Sequence, residues 1–168
     1  MIILGIDPGS VVTGYGVINA QGRHCELVDY GVVRTGSRKA LAERLKIIYD
    51  GLCDAIDRNR PELLAIETAF AGRFPKAALV LGHARGVALL AAANRGLPVW
   101  EYAPREVKMA IVGEGGASKQ QVQYMVRAIL NLPRKPMPED ASDAVAVALC
   151  HNNRISGKGQ SSDRIRRR

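Results

Sequence analysis

The sequence predicts an α/β domain: a mixed sheet, part meander and part parallel, with helices packed on it. Three observations predict it. Three strand-like runs open the chain and are separated by turn residues. Short apolar runs at 63–67 and 99–102 then alternate with long helical segments. The last third has helical spacing throughout, so the order β-β-β-α-β-α-β-α-α-α emerges.

Residues 2–7 form a buried-strand pattern that Pro8-Gly9 stops. Thr13 to Ala20 and Cys25 to Arg34 are two further strands around the Gln21-Gly22 turn, completing a three-strand meander. From Ala40 to Asn59, Leu41, Leu45, Ile48, Leu52 and Ile56 recur three and four apart, the spacing of one helical face. Pro61 precedes the strand 63–67. Pro75 to Arg95 is an alanine-rich helix ending at Gly96, and Val99 to Tyr102 is a short strand. Pro104 opens a helix to about Ile111, before the loop Gly113-Glu114-Gly115-Gly116. Ser118 with Gln121 forms a capping box, and the helix it opens aligns Val122, Met125, Val126, Ile129 and Leu130. The segment 133–138 is a proline-punctuated linker, and the last helix is expected to end near His151.

At 168 residues and 47% hydrophobic content, the chain suits one ordered domain with a full core. The net charge of +8 points to an anionic partner. Most of it is local: Arg154 to Arg168 holds six Lys or Arg and one Asp. Residues 1–152 therefore read as the domain and 153–168 as a basic, disordered tail. Cys25, Cys53 and Cys150 are widely spaced with no Cys-x-x-Cys, which speaks against a disulfide framework or zinc ribbon. The N-terminus reaches Asp7 too early for a signal peptide, and His83 and Arg85 interrupt the most apolar stretch. The expectation is a cytoplasmic protein without a membrane span.

Four carboxylates carry the chemistry. Asp7 and Glu67 each end an apolar strand, while Asp140 and Asp143 lie three apart at the opening of the last helix. An acid at a buried strand end is costly unless hydrogen-bonded, neutralised or bound to a cation. If the strands 2–7 and 63–67 are parallel neighbours, their acids share the sheet edge where ligands of open α/β sheets bind. All-oxygen ligation favours Mg²⁺ or Mn²⁺ over Zn²⁺. Each acid also has a plainer use: Asp7 in an Asx turn, Glu67 in an ion pair, Asp140 and Asp143 at a helix N-terminus.

Taken together, Ile6-Asp7-Pro8-Gly9-Ser10 with Thr13-Gly14-Tyr15-Gly16, Ile66-Glu67, and Glu139-Asp140-Ala141-Ser142-Asp143-Ala144 resemble the bacterial RuvC family of Holliday-junction resolvases. Leu81-Gly82-His83-Ala84-Arg85-Gly86, Val107-Lys108, Val112-Gly113 and Lys119 to Val122 extend the resemblance across residues 1–152. It implies a ribonuclease-H-like fold, a homodimer, and Mg²⁺-dependent paired nicking of four-way DNA junctions, with Mn²⁺ able to substitute. By motif, Asp7, Glu67, Asp140 and Asp143 would be the catalytic, metal-binding set. Lys108 and Lys119 fall at basic positions near the scissile phosphates, and Phe70 at an aromatic that contacts bases at the exchange point. The resemblance also implies a branch-migration helicase complex of RuvA and RuvB proteins as partner. The chain departs from the family pattern at Phe74-Pro75, Ala77 and His83, which bears on DNA contacts rather than on the acids.

Gly82-x-x-x-Gly86 reads first as close packing on the protein's own sheet and second as part of a dimer face. Alternative functions are a related nuclease acting on RNA–DNA hybrids or structured RNA, and a non-catalytic junction-binding protein. An actin-like ATPase or sugar kinase needs a second subdomain that this length does not provide. Gly113 to Lys119 lacks the glycine immediately before lysine that a phosphate loop requires.

Overall fold

The computed structural model describes residues 1–68, 75–133 and 137–165, with side chains through 157. Strands β1 (Ile2–Asp7), β2 (Val12–Gln21) and β3 (His24–Arg34) form the meander. Helix α1 (Leu41–Asn59) leads to β4 (Leu63–Glu67), and α2 (Pro75–Ala93) leads to β5 (Val99–Tyr102). Helices α3 (Pro104–Val112), α4 (Lys119–Ile129) and α5 (Glu139–Ile165) complete the chain.

The five strands are ordered β3-β2-β1-β4-β5. β1 is antiparallel to β2 and parallel to β4, and β5 is parallel to β4. This is the mixed, ribonuclease-H-like sheet expected, with the β1–α1–β4 crossover bringing two carboxyl-terminal strand ends together.

Alternation along the strands divides the core between two faces. Leu4, Ile6, Leu64 and Ile66 pack with Ile48, Leu52 and Ile56 of α1 and the alanines of α2. Ile3, Ile18 and Ala65 pack instead with Val107, Val122, Val126, Val145 and Leu149 of α3, α4 and α5. Having helices on both sides explains why these strands read as nearly continuous apolar runs.

The second face is unusually close. Gly5 and Gly16 are cross-strand partners, and Gly14 is opposite Asp7. A Cβ at Gly5 would lie 2.0 Å from the Ala144 carbonyl oxygen, and one at Gly14 would lie 1.9 Å from the Asp140 carbonyl oxygen. At Gly16 it would meet Val145 Cγ2 at 2.3 Å. Helix α5 therefore rests directly on the strand backbones, a distance no side chain at these positions would permit.

Two expectations are corrected here. α5 does not end near His151: Asn153 Nδ2 donates to the Ala110 carbonyl at 3.0 Å, and Ser156 Oγ donates to the Gly22 carbonyl at 3.1 Å. Arg154 pairs with Glu106. These contacts carry the helix beyond the first turn of the expected tail. The first reading of Gly82 and Gly86 also fails, because a Cβ at either would meet nothing within 4 Å among the described residues. Ala84, Ala88, Ala91 and Ala92 make the packed side of α2, leaving Leu79 and Leu90 64% and 52% exposed on another side. By length and composition alone α2 could cross a membrane. In the fold, however, its alanine side packs in the core, and Arg85 pairs with Glu101 of β5.

Candidate active site

Asp7 and Glu67 end adjacent parallel strands, since Ile6 is in register with Ile66 one residue earlier. The turn beyond Asp7 is tightly held. Thr13, fully buried, donates through Oγ1 to the Gly9 carbonyl at 2.6 Å and accepts from the Gly9 N–H at 3.3 Å. Thr35 Oγ1 donates to the Ser10 carbonyl at 2.9 Å. Asp7 thus leaves the sheet into a fixed turn, and the glycine contacts place the first turn of α5 against it.

Asp7, Glu67 and Asp143 line a cleft of about 220 Å³ with Lys108 of α3 and Lys119 of α4. Pro104, Val107, Val122 and Ala146 supply its apolar walls. Lys119 follows Ser118, whose hydroxyl accepts from the Gln121 N–H at 3.2 Å while Gln121 Oε1 accepts from the Ser118 N–H at 2.8 Å. This predicted capping box fixes where α4 begins, and hence where Lys119 points. Its Nζ donates to Asp143 Oδ2 at 3.0 Å.

The electrostatics follow from this grouping. Burial, then the charges of Glu67, Asp143 and Asp140, push the Asp7 carboxyl up from 3.8 to about 7, against an opposing pull from Lys119. Burial and Asp143 likewise push Glu67 from 4.5 to about 7, opposed by Lys119 and Lys108. The hydrogen bond that Lys119 donates to Asp143 raises its ammonium, with the charges of Asp143 and Asp7 adding to the effect. Asp140 is not among the cleft-lining residues but acts on Asp7 through its charge.

Five predicted residues, Asp7, Glu67, Asp143, Lys108 and Lys119, therefore share one cleft. Phe70 and Phe74 lie outside the described residues. Sequence reasoning missed Thr13, the apolar walls and the meaning of the glycines. The Gly14-x-Gly16 spacing was the available signal, because glycines inside a strand mark close backbone approach.

The family model described as crossover junction endodeoxyribonuclease RuvC matches residues 3–151. The chain belongs to the RuvC family. Its relatives include the RuvC of Marinobacter nauticus, 55% identical over 150 residues, covering 89% of this chain and 85% of the relative. The RuvC of Vibrio parahaemolyticus is 50% identical, with 99% of each chain covered. Among solved structures, Thermus thermophilus RuvC in complex with Holliday junction substrate matches with a TM-score of 0.88 and 37% identity. That match covers 94% of this chain and 96% of the other. Family membership makes the chain a nuclease dependent on divalent metal.

The donor set fits such an ion. It consists of hard carboxylate oxygens with no His or Cys among the cleft-lining residues, and burial has raised the proton affinity of two of them. As they stand, no three His, Cys, Asp or Glu side chains among the described residues converge tightly enough to hold one. Lys119 holds Asp143 in an ion pair at 3.0 Å.

Proposed function

We propose that this chain is an endonuclease that resolves four-way DNA junctions by paired symmetric nicks, with Mg²⁺ as its working ion and Mn²⁺ as a substitute. The observation that carries the reading is the union of two partly buried strand-end carboxylates with Asp143 of α5 and two lysines in one cleft, with the charge of Asp140 acting on Asp7 from beside it. Asp7, Glu67, Asp140 and Asp143 would hold the ions. When bound, these supply Lewis-acid polarisation of the phosphodiester and make the attacking water more acidic.

The protein's own groups do the rest. The turn after Asp7 and the sheet-seated α5 fix where the backbone presents the carboxylates. Lys108 and Lys119 offer ammonium groups to the nonbridging oxygens of the phosphodiester. A phosphate drawing Lys119 away from Asp143 would free that carboxylate. The apolar walls from Val107 and Val122 limit water around the reacting phosphate and strengthen these interactions. Phe70 would stack on a base at the exchange point.

A two-fold junction cut twice calls for two sites related by symmetry. The exposed ridge of α2, with Leu79, Gly82, Gly86 and Leu90 beside Leu45, is the surface we assign to a second copy of the chain. Residues 1–152 would make the nuclease domain and 153–168 a basic extension adding nonspecific affinity, its first turn docked on the domain through Asn153, Arg154 and Ser156. The protein would work in the cytoplasm, with a branch-migration helicase complex of RuvA and RuvB proteins as its partner.

The test is cleavage of a synthetic mobile four-way junction mapped on all four strands, beside linear duplex and an RNA–DNA hybrid. Paired symmetric nicks requiring Mg²⁺ and Asp7 are expected. Cutting of the hybrid with the junction left intact would replace this reading with a ribonuclease.

A further inference from the structure

Arg44 combines partial burial with a buried, unpartnered Nε and no ion pair among the described residues. Arg58, Arg85, Arg95 and Arg154 each face a carboxylate. Arg44 lies partly buried on α1 and enters no ion pair among the described residues. Its Nη1 makes a long hydrogen bond of 3.4 Å to Ser10 Oγ. Its Nε is buried and has no hydrogen-bond partner among the described residues. A guanidinium carries five donors and a fixed charge, so holding it half-desolvated against one hydroxyl is unfavourable unless an anion arrives.

Its location gives that anion a source. Ser10 is three residues beyond Asp7, so their Cα atoms are at most about 11 Å apart. The same turn is stitched to the β3–α1 connection: Thr35 N–H donates to the Val11 carbonyl at 3.0 Å, and its hydroxyl donates to that of Ser10. Exposed Arg34, Arg38 and Lys39 surround Thr35 in sequence, with Glu43 the acid nearby on α1. The β3–α1 connection tied to the turn after Asp7 is thus rich in cations, while the cleft itself holds three carboxylates.

We propose that Arg44, on the turn Pro8 to Val11, binds a DNA backbone phosphate flanking the one held at the carboxylates. A planar fork with free donors suits a phosphate, which it can grip in two places. The site would hold the strand in register, so that attraction at these cations offsets repulsion by the four acids. This rests on the junction-nuclease reading above. Were Arg44 only a strut for the turn, Ser10→Ala would reproduce its loss.

The experiment measures binding of a labelled four-way junction by the full-length chain between about 50 and 300 mM salt. An Asp7→Asn parent is used so that strands stay uncut. Arg44→Gln should weaken binding at 100 mM salt about tenfold, as loss of a charged hydrogen bond does. It should also flatten the logarithmic salt slope by about 0.9, the value of one phosphate contact. Arg44→Lys should keep the slope and recover part of the affinity, whereas Ser10→Ala should leave both near the parent. Lys46→Gln controls for lost charge, since Lys46 is exposed on the same helix and pairs with Asp50.

An Arg44→Gln protein indistinguishable from Lys46→Gln in affinity and slope overturns the site alone. A parent that binds junction no better than duplex overturns the nuclease reading and the site with it. Should Arg44→Gln fail to fold, Arg44→Lys decides, and unchanged affinity there refutes the bidentate phosphate.

Discussion

Replacing Asp7 with Asn should stabilise the metal-free protein while abolishing its activity. Asn matches protonated Asp in shape and cannot ionise. A rise in the Asp7 carboxyl from 3.8 to about 7 corresponds to about 4 kcal/mol at about 1.4 kcal/mol per pH unit. Partial exposure and mutual relaxation of the acids reduce that to roughly 2–3 kcal/mol. The sign follows from proton binding: above pH 3.8 the unfolded chain ionises this group while the fold resists, so wild-type stability falls as pH rises. The loss is complete above about 7. At about 2–4 °C per kcal/mol for a chain of this size, Asp7→Asn should melt about 4–12 °C above wild type at pH 8 in chelator. Near pH 4 the two should melt together. Thermal melts read this directly, and added Mg²⁺ should close the gap by stabilising only the wild type. A variant less stable than wild type at pH 8, or a gap independent of pH, would refute a carboxylate held charged against its surroundings.

Further tests follow from the same geometry. Glu67→Gln and Asp143→Asn should each lower the single-turnover rate on junction DNA by at least about 10²–10³-fold, with binding measured separately and retained. Gly14→Ala should cost about 1–3 kcal/mol by denaturant melts and lower the cleavage rate, because its methyl meets the Asp140 carbonyl at 1.9 Å. Gly22→Ala, at φ +62 with nothing within 4 Å, should cost about 1 kcal/mol and leave cleavage alone. Tyr102→Phe removes the 2.7 Å hydrogen bond between the Tyr102 hydroxyl and buried His151 Nδ1, and should cost about 1–3 kcal/mol. Leu90→Glu on the exposed side of α2 should shift sedimentation towards monomer and uncouple the paired nicks.

Much of this was legible in the sequence because each signal was local. The Gln21-Gly22 turn, the Ser118–Gln121 capping box and the period of α1 depend on neighbours a few residues away, and each element appeared where expected. The acids of the site were legible because Asp7 and Glu67 end apolar runs, where a bare charge needs a reason. What sequence reasoning misread depended on packing over distance. Gly82 and Gly86 look like a close-approach motif, yet only the fold shows that they face outward. The end of α5 was misplaced because Asn153, Arg154 and Ser156 look like the start of a solvated basic tail until their partners on α3 and the Gly22 turn are known. Arg44 gave no signal, since an arginine on an amphipathic helix is ordinary until its missing carboxylate is noticed.

The seating of α5 on Gly5, Gly14 and Gly16 also governs when the enzyme can become dangerous. Asp7 and Glu67 emerge early in synthesis, but their partners arrive with the final helix, and the tie from Asn152 to Gly22 spans 130 residues. Contacts so distant form late, after most of the chain has been ordered. A nascent or prematurely terminated chain would carry the sheet with Asp7 and Glu67, but not the α5 acids that the proposed metal site requires. On the proposed site, nuclease activity would be reserved for the finished protein, and the close seating of α5 on three glycines would be part of that safeguard.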